Sequence, residues 1–482
     1  NELNEFLHCI GEGDSSSFVP FSAEFFTTVL SRIRSTSPGP EEIPFWLYKN
    51  CAQELGPVVA KLVNFSLVQR TVPVVWKTAH ITPVPKTSPV TGPGDLRPIS
   101  VTSILSRTVE NVVVKNYLTS LLSSSLFHDQ YAYKPTGSTT CALADFTFRI
   151  HTLLESNQYV RCILIDFSKA FDTVDHAILA RKLFHLQVPV FIIQWIMSFL
   201  TNRTQATRLG FLLSSLLFIN RSIVQGSGIG PTLFIMFAYD LKPLDILNHL
   251  LKYADDTTLL CPQNSKTSAE LEMAHVFSWA SDNKLAVNLL KTVELVFHRP
   301  NMSHDLMPAV ISHVRRVTVA KLLGVYFSHD LNFSHHINSV VATCNQRLYL
   351  LGQLKKQGLT ISAIDLVFQA IVLSKILYAL PAYFGYITAG QKQMLLRVLQ
   401  RASRRGLSLF HYDLDLLAEK AQFDLFRRSC REGHCLNHLY SVKARPPGAM
   451  RLRTRGHDFV LPSIKFEFNK RNFIVQSLFK YA

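Results

Sequence analysis

Acidic residues are in short supply in this chain: 34 Asp and Glu stand against 50 Lys and Arg, a formal net charge of +16. A surplus of that size points to an anionic polymer as partner, with a plainly basic surface as the blander alternative. It is also uneven, because residues 427–471 hold eleven Lys and Arg against three acids, half of the net charge. The eight cysteines have no close, even spacing. That argues against a disulfide framework and for reduced thiols inside a cell. No apolar run reaches the roughly 18 residues that a membrane-spanning helix needs, so no membrane association is expected. Val190–Leu200 is apolar but short and interrupted by Gln194, and it reads as a core helix. There is no charged-then-apolar leader and no initial Met, and a start at Asn1 is what a fragment or truncated reading frame would give. Internal repeats and low-complexity tracts are missing too. With 482 residues and 48% hydrophobic content, a large core and more than one structural unit are expected.

What is present is a small set of well-placed carboxylates. Tyr253-Ala254-Asp255-Asp256 lies between the apolar runs of residues 250–251 and 257–260, which reads as a β-hairpin with acids at its tip. Hairpin turns carry Asp for local reasons, so the tetrad alone is weak. Upstream, Asp166 closes the apolar run Cys162-Ile163-Leu164-Ile165, which looks like a buried strand. If the two strands are neighbours, three carboxylates converge and repel one another unless cations neutralise them. Mg²⁺ suits such a cluster, because it takes carboxylate and phosphate oxygens. Two such ions about 4 Å apart would clamp the attacking and leaving oxygens of an in-line phosphoryl transfer.

From these residues outward the chain resembles the reverse transcriptases of non-LTR (LINE-type) retrotransposons, of the CR1/jockey-like group. The blocks that carry the resemblance fall in the right order. Ser37-Pro38-Gly39-Pro40-Glu41-Glu42-Ile43-Pro44 resembles the N-terminal extension. Trp76 to Lys86 and Asp95-Leu96-Arg97-Pro98-Ile99-Ser100 resemble the fingers. Asp166 to His176 resembles the first catalytic block, Gln225 to Pro231 the template and nucleotide block, and the Tyr253 tetrad the second catalytic block. Asn288 to Thr292 and Lys321 to Val325 resemble the last palm block and the primer grip. Val224 stands where the family more often has Pro.

The resemblance implies an α+β right-hand polymerase fold with fingers, a palm on an antiparallel sheet and a helical thumb. The expected division is an N-terminal extension over residues 1–66, fingers and palm over 67–332, a thumb over 333–426 and a basic region over 427–482. Helices are expected over residues 55–72 and, in the thumb, over 337–354, 362–380 and 391–409, from their apolar spacing.

Asp166, Asp255 and Asp256, with the backbone carbonyl of Phe167, are the expected ligands of two Mg²⁺ ions, Mn²⁺ being able to replace them. Ser168 is expected to cap a helix holding Asp172 and Asp175, both read as structural. By resemblance Phe171 packs under the sugar and excludes a 2′-hydroxyl, and Lys291 gives a proton to departing pyrophosphate. Lys86 and Arg97 flank a Pro/Gly loop and are expected on the triphosphate, Arg as a fork and Lys as a point charge. Gln225 and Gly226 open a glycine-rich turn that lets backbone approach template base and nucleotide. Lys392, Arg397, Arg401, Arg404 and Arg405 recur at near-helical spacing, fit to follow a phosphate backbone. Cys430, His434, Cys435 and His438 are spaced too tightly for a zinc finger and do not match the family's zinc knuckle.

The resemblance implies an RNA-directed DNA polymerase that adds dNTPs to a primer 3′-hydroxyl on an RNA template. The primer would be a nicked DNA target, cut by an upstream domain or another protein, since nothing here resembles the family's endonuclease. An intracellular, nuclear protein with a cytoplasmic RNA-bound stage is expected. The alternative is a degenerate or domesticated remnant that binds nucleic acid without polymerising. An RNA-dependent RNA polymerase is disfavoured by Phe171.

Overall fold

The computed structural model describes residues 2–11, 18–219, 221–443 and 459–482. Part of the expected N-terminal extension (residues 1 and 12–17) and much of the expected basic region (residues 444–458) lie outside the described residues. The chain forms two compact units. Unit one comprises Asn1–His128, Phe167–Lys242 and Val276–Val287, and unit two Asp129–Asp166, Pro243–His275 and Asn288–Ala482.

Unit one is built on a hairpin of Thr78–Pro85 and Leu96–Val101, antiparallel, with Val84 opposite Arg97. The first strand also pairs in parallel with Arg203–Leu209. Asp95 closes the loop between the two hairpin strands, its carboxylate accepting the Thr91 and Gly92 N–H groups. The Thr91 hydroxyl, which also donates to it at 2.7 Å, and then these N–H groups hold its carboxyl below the usual range. The helix expected over residues 55–72 spans Ala52–Val68 and stops at a turn where Arg70 has φ +57°. Val190–Leu200 is a core helix: Ile192, Ile193, Trp195 and Ile196 are fully buried, and Trp195 Nε1 donates to Ser66 Oγ at 3.0 Å.

One local expectation fails. Residues 168–173 form turns rather than a helix, and the helix begins only at His176. Its cap is Asp175, whose Oδ1 accepts the Ala177 and Ile178 N–H groups, so Ser168 caps nothing here. The reason is local: Lys169 adopts φ +47°, which breaks any helical start at Ser168.

Unit two carries a five-stranded sheet in the order Arg315–Arg316, Val293–His298, Tyr159–Ile165, Asp256–Pro262, His249–Tyr253. It is antiparallel except for the two-residue edge strand. Tyr159–Ile165 sits at its centre and is buried on both faces, apolar apart from Tyr159 and the paired Arg161. Helix Thr139–Leu154 covers one face, with Phe146 edge-on to Phe297 and Phe327. Glu294 is fully buried in the sheet but accepts Arg161 Nε at 2.6 Å and Arg316 Nε at 2.8 Å, a satisfied buried charge.

Unit two also holds a two-stranded antiparallel hairpin of Val319–Leu322 and Val325–Ser328, and beyond it helices Ser334–Lys356, Ala389–Arg404, Leu414–Ser429 and Phe473–Tyr481. The helix expected over residues 362–380 is instead part of a broken helical run, Ile361–Tyr386. It widens at Gln369–Leu373 and turns sharply at Ala379, φ +53°, before Pro381. By length and composition this run could cross a bilayer, against the expectation that no run was long enough. Ser374 and Lys375 interrupt it in sequence and hid its length. Ile364, Phe368, Val372 and Ile376 on it are fully buried in the core of the unit, which accounts for its apolar character.

Candidate active site

In unit two the acid hairpin forms as its alternation dictates. Tyr253 pairs with Asp256, leaving Ala254 and Asp255 as a two-residue turn, with Ala254 at φ +59°. Positive φ at the first turn position gives the twist that a tight hairpin needs. A buried side chain holds that turn from outside it. Gln130, 2% exposed, accepts the Ala254 N–H at 3.1 Å, together with the Tyr131 and Ala132 N–H groups at 3.1 and 2.9 Å. The hairpin strand is further tied down by Lys252, whose buried ammonium meets Asp129 at 3.1 Å. Its backbone carbonyl accepts from Tyr131 and its N–H donates to Asp129.

The third acid arrives by strand register. Ile165 faces Thr257 on one side, so the next step sets Asp166 opposite Asp256. On the other side Leu164 faces Val293, which sets Asp166 beside Lys291. Lys291 Nζ stands 3.9 Å from Asp166 Oδ2. The Asp166 backbone is held on the same side, its carbonyl accepting from Asn288 N–H at 2.7 Å and its N–H reaching Thr292 Oγ1 at 3.3 Å. A cavity of about 300 Å³ opens here, lined among others by Asp166, Asp256, Lys291, Arg315 and Lys321. The Asp256 carboxyl faces solvent at the strand end, yet the protein around it, then Asp255 and Asp166, push it up to about 6. Carboxylates forced together in this way are a hard oxygen donor set short of positive charge, which is what a divalent cation such as Mg²⁺ neutralises.

Phe167 follows Asp166 but belongs to unit one, where its backbone bridges to Val287 and its ring lies 6.0 Å from Trp279. The other nominated residues are also in unit one. Phe171 stacks on Phe234 with centroids 4.4 Å apart, and its carbonyl accepts from Ile223. Gln225 donates its side-chain amide to Asp172 Oδ1 at 2.8 Å, and its carbonyl accepts from Ser100 at 2.7 Å. Gly226 has φ +115°, and a Cβ there would collide with the Ser100 carbonyl oxygen, so no other residue fits. Asp172, read from sequence as a helix acid, is therefore the partner of Gln225. Lys86 and Arg97 stand exposed at the loop end of the hairpin of Thr78–Pro85 and Leu96–Val101, with Lys86 Nζ donating to the Gly94 carbonyl at 3.0 Å.

Three supporting residues escaped the sequence reading. Gln130 and Lys252 hold the acid hairpin. Glu110, fully buried, accepts the Gly228 and Ile229 N–H groups and the Ser106 hydroxyl, and so fixes the glycine-rich turn. Each acts through backbone groups more than a hundred residues away, a pairing no local pattern encodes. Of the five basic positions expected to follow a phosphate backbone, Lys392 is engaged by Asp415 at 2.9 Å and Arg401 by Asn345 at 2.6 Å.

Comparison with known proteins bears on the whole arrangement. Residues 84–327 match the family described as reverse transcriptase (RNA-dependent DNA polymerase). The chain is 26% identical over 414 residues to a probable RNA-directed DNA polymerase from transposon BS of Drosophila melanogaster, covering 80% of this chain and 45% of that protein. It is 26% identical over 356 residues to the RNA-directed DNA polymerase from mobile element jockey of the same fly, covering 70% and 38%. The chain thus spans less than half the length of these curated relatives. Among solved structures, apo telomerase from Candida tropicalis matches with a TM-score of 0.41 at 12% identity, over 81% of this chain and 73% of that one.

Proposed function

The chain belongs to the reverse transcriptase (RNA-dependent DNA polymerase) family, in its LINE-type, non-LTR retrotransposon branch, and on that premise we propose that it copies RNA into DNA. The observation that carries the reading is the register that sets Asp166 opposite Asp256, one residue from Asp255. Asp166, Asp255 and Asp256, with the Phe167 carbonyl, would hold two Mg²⁺ ions. Bound there, such ions lower the charge cost of an in-line attack by a primer 3′-hydroxyl on a deoxynucleoside triphosphate.

The chain's own groups supply the remainder. Lys291 donates a proton to the departing pyrophosphate. Lys86 and Arg97 bind the triphosphate, the guanidinium as a two-pronged donor. Phe171, pinned on Phe234, blocks the space a 2′-hydroxyl would need. Gln225 and Gly226 present backbone to the template base and nucleotide. Residues 67–332 serve as fingers and palm and residues 333–426 as a thumb, flanked by the N-terminal extension of residues 1–66 and the basic region of residues 427–482. The primer is a nicked DNA strand, supplied by an endonuclease in an upstream domain or another protein. The site of action is the nucleus, after a cytoplasmic stage on the RNA.

The test is primer extension on poly(rA)/oligo(dT) with labelled dTTP and Mg²⁺. Extension supports the reading. A folded chain that binds the duplex and does not extend it favours a nucleic-acid-binding remnant instead.

A further inference from the structure

Cys141, His434 and Cys435 meet in unit two from opposite ends of its sequence. Cys141 lies in the first turn of helix Thr139–Leu154, where the cap residue Ser138 accepts its N–H at 3.1 Å and places a hydroxyl 3.1 Å from its sulfur. Cys435 comes from the turn that follows helix Leu414–Ser429. Its N–H donates to Thr136 Oγ1 at 2.9 Å, and its sulfur lies 3.2 Å from the Thr136 carbonyl oxygen. One donor atom from each of the three residues lies within 4.8 Å of the other two. Both sulfurs are buried, with the cysteines 2% and 7% exposed, and His434 is half-buried beside them.

The imidazole is also in the right form. The Leu436 N–H donates to His434 Nδ1 at 3.2 Å, so Nδ1 is the unprotonated nitrogen; it also faces Cys435 Sγ at 3.9 Å, and a bound cation would take its lone pair in place of the Leu436 N–H. In a tetrahedral zinc site with Zn–S about 2.3 Å and Zn–N about 2.0 Å, donor atoms sit roughly 3.6–3.8 Å apart, so small rotations close the triad. We propose that Cys141, His434 and Cys435 bind a thiophilic divalent cation, zinc being the commonest, with water or the Thr136 carbonyl oxygen as the fourth donor.

Two sulfurs and an imidazole select zinc over the hard cations that carboxylates prefer, so this site and the acid cluster would not compete for one metal. The cation would clip the turn at residues 430–438 to the start of the helix that covers the sheet. Only the inner two residues of the C-x₃-H-C-x₂-H run take part. The outer His438 has Nε2 3.5 Å from Arg149 Nη2, and Cys430 lies outside the triad. The tight spacing that argued against a finger is therefore irrelevant, because the remaining ligand comes from a distant helix.

The experiment is metal analysis of the purified 482-residue chain, prepared with a non-chelating reductant. About one zinc per chain is expected, lost from Cys141→Ser and His434→Gln and retained in Cys430→Ser. His434→Gln changes a half-exposed side chain, so its fold can be checked while its metal is read. Replacement by Co²⁺ should give a thiolate-to-cobalt charge-transfer band in the parent that His434→Gln lacks. Removing the metal should lower the parent's Tm and leave that of His434→Gln unchanged. The proposal is overturned if the reduced parent neither holds nor takes up zinc, if Cys430→Ser loses as much as Cys141→Ser, or if peptide mapping finds Cys141 and Cys435 joined as a disulfide.

Discussion

Lys291 Nζ lies 3.9 Å from Asp166 Oδ2, on the side of Asp166 away from the strand that bears Asp256. The lysine side chain is 70% exposed and the aspartate 36% exposed, so the pair adds less than about 1 kcal/mol to stability. On the proposed reading, a lysine placed there matters more for chemistry than for folding. Lys291→Met should therefore leave Tm within a degree or so while lowering kcat for nucleotide addition by about 100-fold. Equal losses in stability and rate, read by calorimetry and single-turnover extension, would assign the lysine to the fold instead.

Asp256 makes the site sensitive to pH in a definite direction. Its carboxyl is raised in the folded chain to about 6 from the ordinary aspartate value of 3.8. Without metal, its contribution to stability is present at low pH and lost as pH rises through about 6. The metal-free chain should thus show a falling Tm contribution between about pH 4 and pH 7 that Asp256→Asn removes. Cations need the ionised form, so Mn²⁺ or Mg²⁺ affinity should drop as pH falls below about 6. Thermal melts with and without divalent cation across this range check both signs.

Gln130 ties the acid turn to a segment 124 residues earlier. Gln130→Ala would leave the buried Ala254 and Ala132 N–H groups without an acceptor, at a cost of about 2–3 kcal/mol. Both Tm and extension rate should fall together, unlike the Lys291 variant. A variant with native stability would show that the turn holds itself.

Gly226 should admit no side chain. Its positive φ and the Ser100 carbonyl in the path of a Cβ predict that Gly226→Ala costs about 1–3 kcal/mol. The disturbance should reach Gln225 and raise the KM for dNTP. A neutral result in denaturant melts and steady-state kinetics would mean that the turn is looser than drawn.

Phe171 stacks on Phe234, so its ring has a fixed position rather than a floppy one. Phe171→Val should weaken the preference for dNTP over rNTP by about tenfold or more, read as a ratio of kcat/KM values. An unchanged ratio would remove Phe171 from sugar selection.

The acids were legible because period-two alternation around a tight turn, and an apolar strand ending in Asp166, are local patterns with few readings. The class of fold came from the family resemblance that these acids and the ordered blocks around them carry, while apolar spacing beyond residue 333 gave only the thumb helices. The start of the helix after Asp166 was misread because Lys169 takes a left-handed φ that its residue type does not announce. Glu110, Gln130 and the meeting of Cys141 with Cys435 were invisible for a different reason. They join backbone or side chains far apart in sequence, and a single chain carries no sign of such pairs.

The most direct measurement compares the parent chain with an Asp255→Asn, Asp256→Asn double variant in primer extension on poly(rA)/oligo(dT) with Mg²⁺, each shown to be folded and to bind the duplex. RNA-templated extension by the parent and none by the double variant is the expected result. Equal extension by both would place the chemistry elsewhere and contradict the assignment of these carboxylates.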